Sequence, residues 1–119
     1  MSKFREMYQQ LRRIAILRFL FVAPGKTVNS DILKIVLNER GITTTADDLA
    51  SDLYFLKDAG FVDVKYFFEE KNLAVYTLTE RGEDVAAGRL IAQGVRRPRK
   101  GDNLPEIPED ELGVPYGSN

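Results

Sequence analysis

The fold is predicted by residues Thr43–Gly82, which read TTTADDLASDLYFLKDAGFVDVKYFFEEKNLAVYTLTERG. Leucines at three- and four-residue steps predict a helix over about 45–59, and Gly60 closes it. Alternating apolar residues then predict two short strands with a polar turn at residues 69–72 between them. Thr79 caps a last helix of about 80–92. This order of elements is typical of the second half of a winged helix-turn-helix domain.

Two further helices precede this stretch. Apolar residues that include Phe4 and Met7 recur at helical spacing over about 3–22 and predict a core helix. A second helix begins near Ser30 and stops at Gly41, which leaves only a few residues before the third. This short connection is typical of a helix-turn-helix. We therefore predict an α+β winged helix-turn-helix domain over residues 1–94, with three helices, a two-stranded β-wing and a C-terminal helix.

The composition argues against several functional classes. The chain has 119 residues, 44% of them hydrophobic and 29% charged, as in an ordinary globular domain. It has no cysteine and no histidine, which removes thiolate ligands, the usual zinc sites and the commonest general base. Two carboxylate pairs, Asp48 with Asp52 and Glu69 with Glu70, lack a third convergent ligand, and we interpret them as solvated faces. We predict no enzyme activity, no cofactor and no metal site.

An apolar run at residues 14–23 raises the question of a membrane span. The run is about half the ~20 residues that a span requires, and Arg18 interrupts it. The N-terminus also lacks the small-residue cleavage site of a signal peptide. We therefore predict a buried helix without membrane contact and a cytoplasmic location.

Charge is distributed unevenly along the chain, although the formal net charge is only −1. Residues 95–100 carry four cations and no carboxylate, whereas residues 101–119 carry five carboxylates, three prolines and no cation. Such a segment buries too little apolar surface to offset its ordering entropy. We therefore predict a flexible tail over residues 95–119, basic at 95–100, and disordered, acidic and proline-containing at 101–119.

Two groups of motifs resemble known families. The patterns Leu53-x-x-Leu56-x-x-x-Gly60-Phe61-Val62 and Tyr76-x-Leu78-Thr79-x-x-Gly82 resemble winged-helix transcription regulators of the ArsR and MarR types.

The motifs DVAAGR at residues 84–89 and GVRRP at residues 94–98 are similar to a family of small winged-helix proteins in Mu-like transposable phages and prophages. That family is commonly labelled an ArsR-type regulator, and its genes lie among late phage genes near the packaging and head functions. The resemblance implies a prophage or phage protein that acts in the cytoplasm of a bacterial host.

The first functional hypothesis is binding of double-stranded DNA in a transcription-regulator-like role. A winged helix would lay the third helix in the major groove, with the wing beside the backbone. The predicted DNA contacts come from the third helix, the wing and the basic segment: Thr44, Thr45, Ser51, Tyr54, Lys57, Lys65, Lys71, Arg96, Arg97, Arg99 and Lys100. Asp47, Asp48 and Asp58 oppose this role, so the attraction must come from residues 96–100 and the first helix.

The alternative hypothesis is a protein–protein adaptor that uses the same fold in phage packaging or assembly. Tyr54 and Phe55 beside carboxylates suit a protein surface as well as a DNA surface. The first and last helices are also candidates for a homodimer contact. The two hypotheses remain open at the level of the sequence.

Overall fold

A single antiparallel sheet and four helices make up the part of the chain that the computed structural model describes, which is residues 2–67, 73–108 and 111. The elements are α1 (Lys3–Val22), a 3-10 turn (Pro24–Lys26), β1 (Thr27–Asn29), α2 (Ser30–Glu39), α3 (Ala46–Asp58), β2 (Val62–Phe67), β3 (Leu73–Leu78) and α4 (Glu80–Ala86). The strands lie in the order β1-β3-β2. The predicted α+β class is confirmed.

Side-chain caps explain where the helices begin. The Asn29 carboxamide oxygen accepts from the backbone N–H of Ile32 at 2.8 Å, at the start of α2. At α3 the Thr45 hydroxyl accepts from the Asp48 N–H at 3.1 Å, and the Asp48 carboxylate accepts from the Thr45 N–H at 3.4 Å. Each such cap stabilises a helix by about 1 kcal/mol. The predicted starts of these helices agree with the structure to within one residue.

Helix α1 forms the centre of the core. Its middle turns are fully buried at Ile14, Ile16, Leu17 and Leu20, because other elements cover it on more than one side. The other buried apolar residues come from the helices, from β2 and β3, and from the segments after α2, α3 and α4. The first two turns of α1 differ from the prediction, since Phe4 and Met7 are 69% and 63% exposed. The apolar stripe therefore extends beyond the part of α1 that the domain covers.

Strand β1 is absent from the sequence prediction. It pairs antiparallel with β3, with Thr27 opposite Thr77, and the two hydroxyl oxygens lie 2.9 Å apart. The strand has only three residues, which is too short for an alternating pattern to indicate it. It ties the chain between α1 and α2 to the sheet.

Helix α4 is shorter than the pattern predicts. It ends at Ala86 instead of continuing to residue 92. Gly88 has φ +83°, a left-handed conformation that glycine adopts at little cost and that stops a helix. The N–H groups of Arg89 and Leu90 both donate to the Asp84 carbonyl, so the chain turns away from the helix axis.

The chain after residue 94 is packed over residues 95–108, which differs from the predicted flexible tail. We call residues 95–100 the basic loop and residues 101–108 the strap. Leu104 and Ile107 of the strap are buried, and Arg18 of α1 donates to the Ala86 carbonyl at 2.5 Å and to the Pro105 carbonyl at 3.0 Å. A few well-placed apolar side chains and one buried guanidinium offset the ordering entropy that composition alone suggested would dominate.

The predicted turn of the wing, residues 69–72, lies outside the described residues, as do residues 1, 68, 109, 110 and 112–119. Within the described ranges, no helix combines the length and the apolar character of a membrane span.

Candidate nucleic-acid interface

The outward face of α3 is polar and slightly acidic. Ser51, Tyr54 and Lys57 are exposed, and Tyr54 is 70% accessible to solvent. Asp47 and Asp58 lie at the two ends of the helix and are also exposed. The face therefore offers hydroxyl groups and one ammonium group between carboxylates.

The turn between α2 and α3 holds two of the predicted contact residues. Thr44 is only 3% exposed, and its hydroxyl donates to the Ile42 carbonyl at 2.8 Å. The side chain of Asn38 binds the backbone of Thr44 on both sides, accepting from its N–H and donating to its carbonyl. Thr45 is exposed, but its hydroxyl is engaged as the cap of α3. Thr44 consequently shapes the turn from the interior and is not available to a ligand.

Phe55 is less exposed than predicted, because other residues cover its ring. The Arg13 guanidinium lies 3.7 Å from the ring centroid, and a methyl group at Gly94 would come within 2.8 Å of the ring. Phe55 is half-buried and packs against α1 and the chain just before the basic loop. Of the predicted aromatic pair, only Tyr54 lies open at the surface.

A buried ion network that the sequence analysis did not identify connects α1 to α3. Asp52 is 0% exposed, and its two carboxylate oxygens accept from Arg12 Nε at 2.6 Å and from Arg13 Nε at 3.0 Å. Arg13 also donates to the Gly94 carbonyl at 3.1 Å. Burial raises the pKa of Asp52, and the hydrogen bonds and charges of the two arginines act against that rise. The network fixes Gly94, and hence the start of the basic loop, beside α3.

The only hint of this network in the sequence is a pair of arginines that enters an apolar run. Arg12 and Arg13 directly precede the buried turn that begins at Ile14. Buried guanidinium groups need partners, so such a pair indicates an acidic side chain packed against the helix. The interpretation of Asp48 and Asp52 as a solvated pair is wrong for Asp52, which is fully buried because α1 packs on α3 and supplies Arg12 and Arg13 as its partners. Among the described residues, no group of three or more potential ligands could hold a metal ion.

The basic loop has a defined shape. Arg96 donates its backbone N–H to the Gln10 carbonyl at 3.2 Å, and Val95 and Pro98 face the core. Asp102 closes the loop, since its carboxylate accepts from Arg96 Nη2 at 2.9 Å and from the Arg99 N–H at 2.8 Å. The inward residues and the Asp102 contacts leave three cations at the surface, namely Arg97, Arg99 and Lys100.

The strand cations are only partly described. Lys65 on β2 is exposed, with its ammonium 5.6 Å from the Phe67 ring centroid. Lys71 lies outside the described residues.

Among the predicted contact residues, the structure brings the basic loop close to α3 through the contact of Gly94 with Phe55. It removes Thr44 from the predicted contact set, because Thr44 is buried.

Comparison with known proteins places the chain among phage proteins. It is similar to the uncharacterized protein gp26 of Escherichia phage Mu, with 35% identity over 88 residues that cover 74% of this chain and 88% of the phage protein. No protein-family model and no solved structure matches it. The Mu-like family predicted from the motifs at residues 84–89 and 94–98 is confirmed by this relative, whereas the ArsR-type label stays a prediction. The chain belongs to the family of the phage Mu protein gp26.

Proposed function

We propose that this chain is a winged helix-turn-helix protein that binds double-stranded DNA in a transcription-regulator-like role. It acts in the cytoplasm of the bacterial host, without catalysis and without a cofactor. The observation that carries the proposal is the basic loop, which is held in a fixed shape beside α3 with Arg97, Arg99 and Lys100 at the surface. Phosphate contacts supply most of the sequence-independent affinity of DNA-binding proteins.

The order of elements supports the proposed docking. A short turn joins α2 to α3, and the antiparallel pair β2–β3 follows α3 directly. In a winged helix this arrangement lays α3 in the major groove. Ser51, Tyr54 and Lys57 would then face base edges and the groove wall, and Lys65 would approach a phosphate.

The charges of α3 and of the basic loop suggest different roles for these two surfaces. Asp47 and Asp58 repel phosphate, so α3 contributes shape and hydrogen bonds more than attraction. The cations of the basic loop provide that attraction. Because Asp102 and the buried side of the loop already order the backbone, less conformational entropy is lost when the loop binds than a flexible tail would lose.

Replacing two arginines of the basic loop should weaken DNA binding in a salt-dependent way. For the variant Arg97→Gln/Arg99→Gln, we expect the slope of log affinity against log salt to fall by about two, one for each phosphate contact removed. Fluorescence anisotropy with a labelled duplex of phage DNA, titrated over a salt series, measures this slope.

The matched control is Lys26→Gln/Lys34→Gln, which removes the same charge from the 3-10 turn before β1 and from α2. The proposal requires this control to keep the wild-type slope. A second control should change the affinity in the opposite direction. The variant Asp47→Asn/Asp58→Asn removes two carboxylates from α3 and should bind DNA more tightly. Absence of salt-sensitive binding by the wild-type chain at low salt, or equal losses in the two cation variants, would rule out the proposed interface.

A second candidate function, contact with a protein, is favoured by the exposed end of α1. Phe4 and Met7 lie one turn apart on one face of the helix and are more than half exposed. Next to them a cleft of about 620 Å³ is lined by Phe4, Arg5, Tyr8, Gln9, Arg12, Thr43 and Asp48. Ile91, which follows α4, is 71% exposed. The partner would be a second copy of the chain, joined through the first helix and the region after the last, or a phage protein of the packaging or assembly apparatus.

Polar substitution at this end of α1 should lower the self-association of the protein. In Phe4→Ser/Met7→Ser we expect the weight-average mass in sedimentation equilibrium to fall toward the 13.5 kDa of one chain, with an unchanged circular dichroism spectrum. Ile32→Ser/Ile35→Ser is the control, because these residues of α2 are also about half exposed. A wild-type mass of one chain over the whole concentration range would argue against the homodimer and leave only the phage partner.

A further inference from the structure

One arginine of the basic loop differs from the other cations of that loop. The Arg96 guanidinium is partly buried and forms an ion pair with Asp102, with Nη2 and Oδ1 separated by 2.9 Å. Its Nε is buried and has no hydrogen-bond partner among the described residues. The pairing therefore neutralises the charge of Arg96 but leaves one of its donors unused. An incompletely bonded guanidinium gains more from a better acceptor than a fully bonded one does.

Asp102 performs two tasks with one carboxylate. Oδ1 accepts from Arg96, and Oδ2 accepts from the backbone N–H of Arg99 at 2.8 Å. The Asp102 N–H in turn donates to the Arg99 carbonyl at 3.1 Å. The same residue thus closes the basic loop and holds one of its four cations.

The position of Asp102 depends on the strap to which it belongs. Asn103, the next residue, exchanges two hydrogen bonds with Arg40 at the end of α2. Leu104 is buried in the core, and Pro105 accepts from the buried guanidinium of Arg18. Anchors on α1 and α2 therefore set where the carboxylate of Asp102 lies relative to Arg96.

We propose that the strap acts as a clamp that withholds Arg96 from phosphate, and that release of Asp102 adds a fourth cation to the basic loop. The inference rests on the proposed DNA binding and adds a mode of regulation to it. A phosphate and the Asp102 carboxylate compete for the same guanidinium, and both form charge-assisted hydrogen bonds with it. While the strap is seated, the loop presents three cations, and when Asp102 leaves it presents four.

The variant Asp102→Asn tests the clamp in the full-length chain. The asparagine keeps one oxygen for the Arg99 N–H but no longer carries the charge that holds Arg96. We expect tighter binding of a DNA duplex, and a salt slope that is steeper than wild type by about one. Glu106→Gln is the matched control, because Glu106 is an exposed carboxylate of the same strap. It should keep the wild-type slope, since that slope counts phosphate contacts and not net charge.

A second measurement follows the clamp without DNA. Trypsin must take the Arg96 side chain into its own pocket before it can cut the bond between residues 96 and 97. Mass spectrometry of a brief digest should therefore show this cut several-fold faster in Asp102→Asn than in wild type or in Glu106→Gln. Cuts after Arg99 and Lys100, which are exposed in the wild-type chain, provide the internal reference.

The two readouts separate the outcomes. Faster cutting together with a steeper slope supports the clamp. Faster cutting with an unchanged slope overturns it, because Arg96 is then released without reaching phosphate. Unchanged cutting overturns it as well, since Asp102 is then not what holds Arg96. If neither wild type nor Asp102→Asn binds DNA, the proposed function fails, and the regulatory inference fails with it even where the cutting rate shows that the ion pair is real.

Discussion

Replacing Asp52 with alanine should lower the free energy of unfolding by about 3–5 kcal/mol, because it leaves two buried guanidinium groups without their carboxylate. Arg12 and Arg13 both direct Nε at Asp52, which is fully buried between α1 and α3. Loss of one partner from a buried ion pair costs far more than loss of a surface pair, since the remaining charge stays desolvated. Urea unfolding followed by circular dichroism measures the change.

Two further variants locate the source of this effect. Asp48 lies one helical turn away, where its partly exposed carboxylate helps to cap α3 and lies 3.9 Å from Arg12 Nη2. Replacing Asp48 with alanine should lower the free energy of unfolding by only about 1 kcal/mol. The triple variant Arg12→Met/Arg13→Met/Asp52→Leu should recover much of the stability lost in Asp52→Ala, because apolar groups of similar volume need no partner. A loss in Asp52→Ala no larger than in Asp48→Ala would show that the arginines reach solvent when Asp52 is absent.

This network also links stability to the proposed interface. Arg13 contacts Asp52, the Phe55 ring and the Gly94 carbonyl, so it joins α3 to the start of the basic loop. An Arg13 variant would therefore disturb both the core and the loop. Variants at the exposed Arg97 and Arg99 act on binding alone and are better suited to test the function.

The helices could be predicted from the sequence because their signals are local. Asn29, Thr45 and Thr79 each accept a hydrogen bond from the first turn of the helix that follows, and such residues are recognisable within four positions. Apolar periodicity over α3 is likewise contained in one window. The family could be predicted for a similar reason, since its motifs are short and contiguous.

The parts that could not be predicted depend on contacts between distant positions. Arg12 and Asp52 are 40 residues apart, and Arg18 and Pro105 are 87 apart, so no local pattern pairs them. A helical wheel places arginine outside and leucine inside, which fails where a second element brings a carboxylate or a carbonyl to the arginine. The composition of the strap predicted disorder because composition counts apolar residues but carries no information on whether one of them, such as Leu104, is buried in the core.

The candidate site was limited by the same lack of distant contacts. A helical-wheel projection of α3 places Tyr54 and Phe55 at neighbouring positions on one surface. Only the packing of Arg13 and Gly94 against Phe55 distinguishes them. Thr44 was predicted to be near base edges because a helical wheel places it on the outward face of α3. In the structure, Asn38 of α2 binds the Thr44 backbone from the other side of the turn and keeps the residue inside.

Replacing Gly82 with alanine should destabilise the fold by about 3 kcal/mol or more, which is the upper range for overpacking. A Cβ atom at this position would lie 2.0 Å from the Phe61 carbonyl oxygen and 2.7 Å from a methyl carbon of Leu78. The nearest obstacle is backbone, which cannot rotate away as a side chain can. Alanine favours a helix by only ~1 kcal/mol over glycine, so its better propensity in α4 does not offset the clash.

The clash at Gly82 occurs where α4 meets the turn between α3 and β2. Thr79 donates its hydroxyl to the Gly60 carbonyl at 2.7 Å, and its N–H donates to the Phe61 carbonyl at 3.1 Å. Gly82 then donates its own N–H back to the Thr79 hydroxyl at 3.0 Å. These three bonds require α4 to lie directly on the backbone of the turn, which is why no side chain fits. Displacing α4 would therefore also break the cap that starts it.

Thermal unfolding distinguishes crowding at Gly82 from a backbone effect. Gly41→Ala is the control, because Gly41 has φ +79° and open space where a Cβ would stand, so alanine there meets only the left-handed penalty of about 1–2 kcal/mol. Gly82 lies in α4 with helical geometry, so its cost arises from contact. We expect the melting temperature to fall further in Gly82→Ala than in Gly41→Ala. Equal shifts would mean that α4 moves off the turn at little cost, and that the joint between α4 and the turn after α3 is loose.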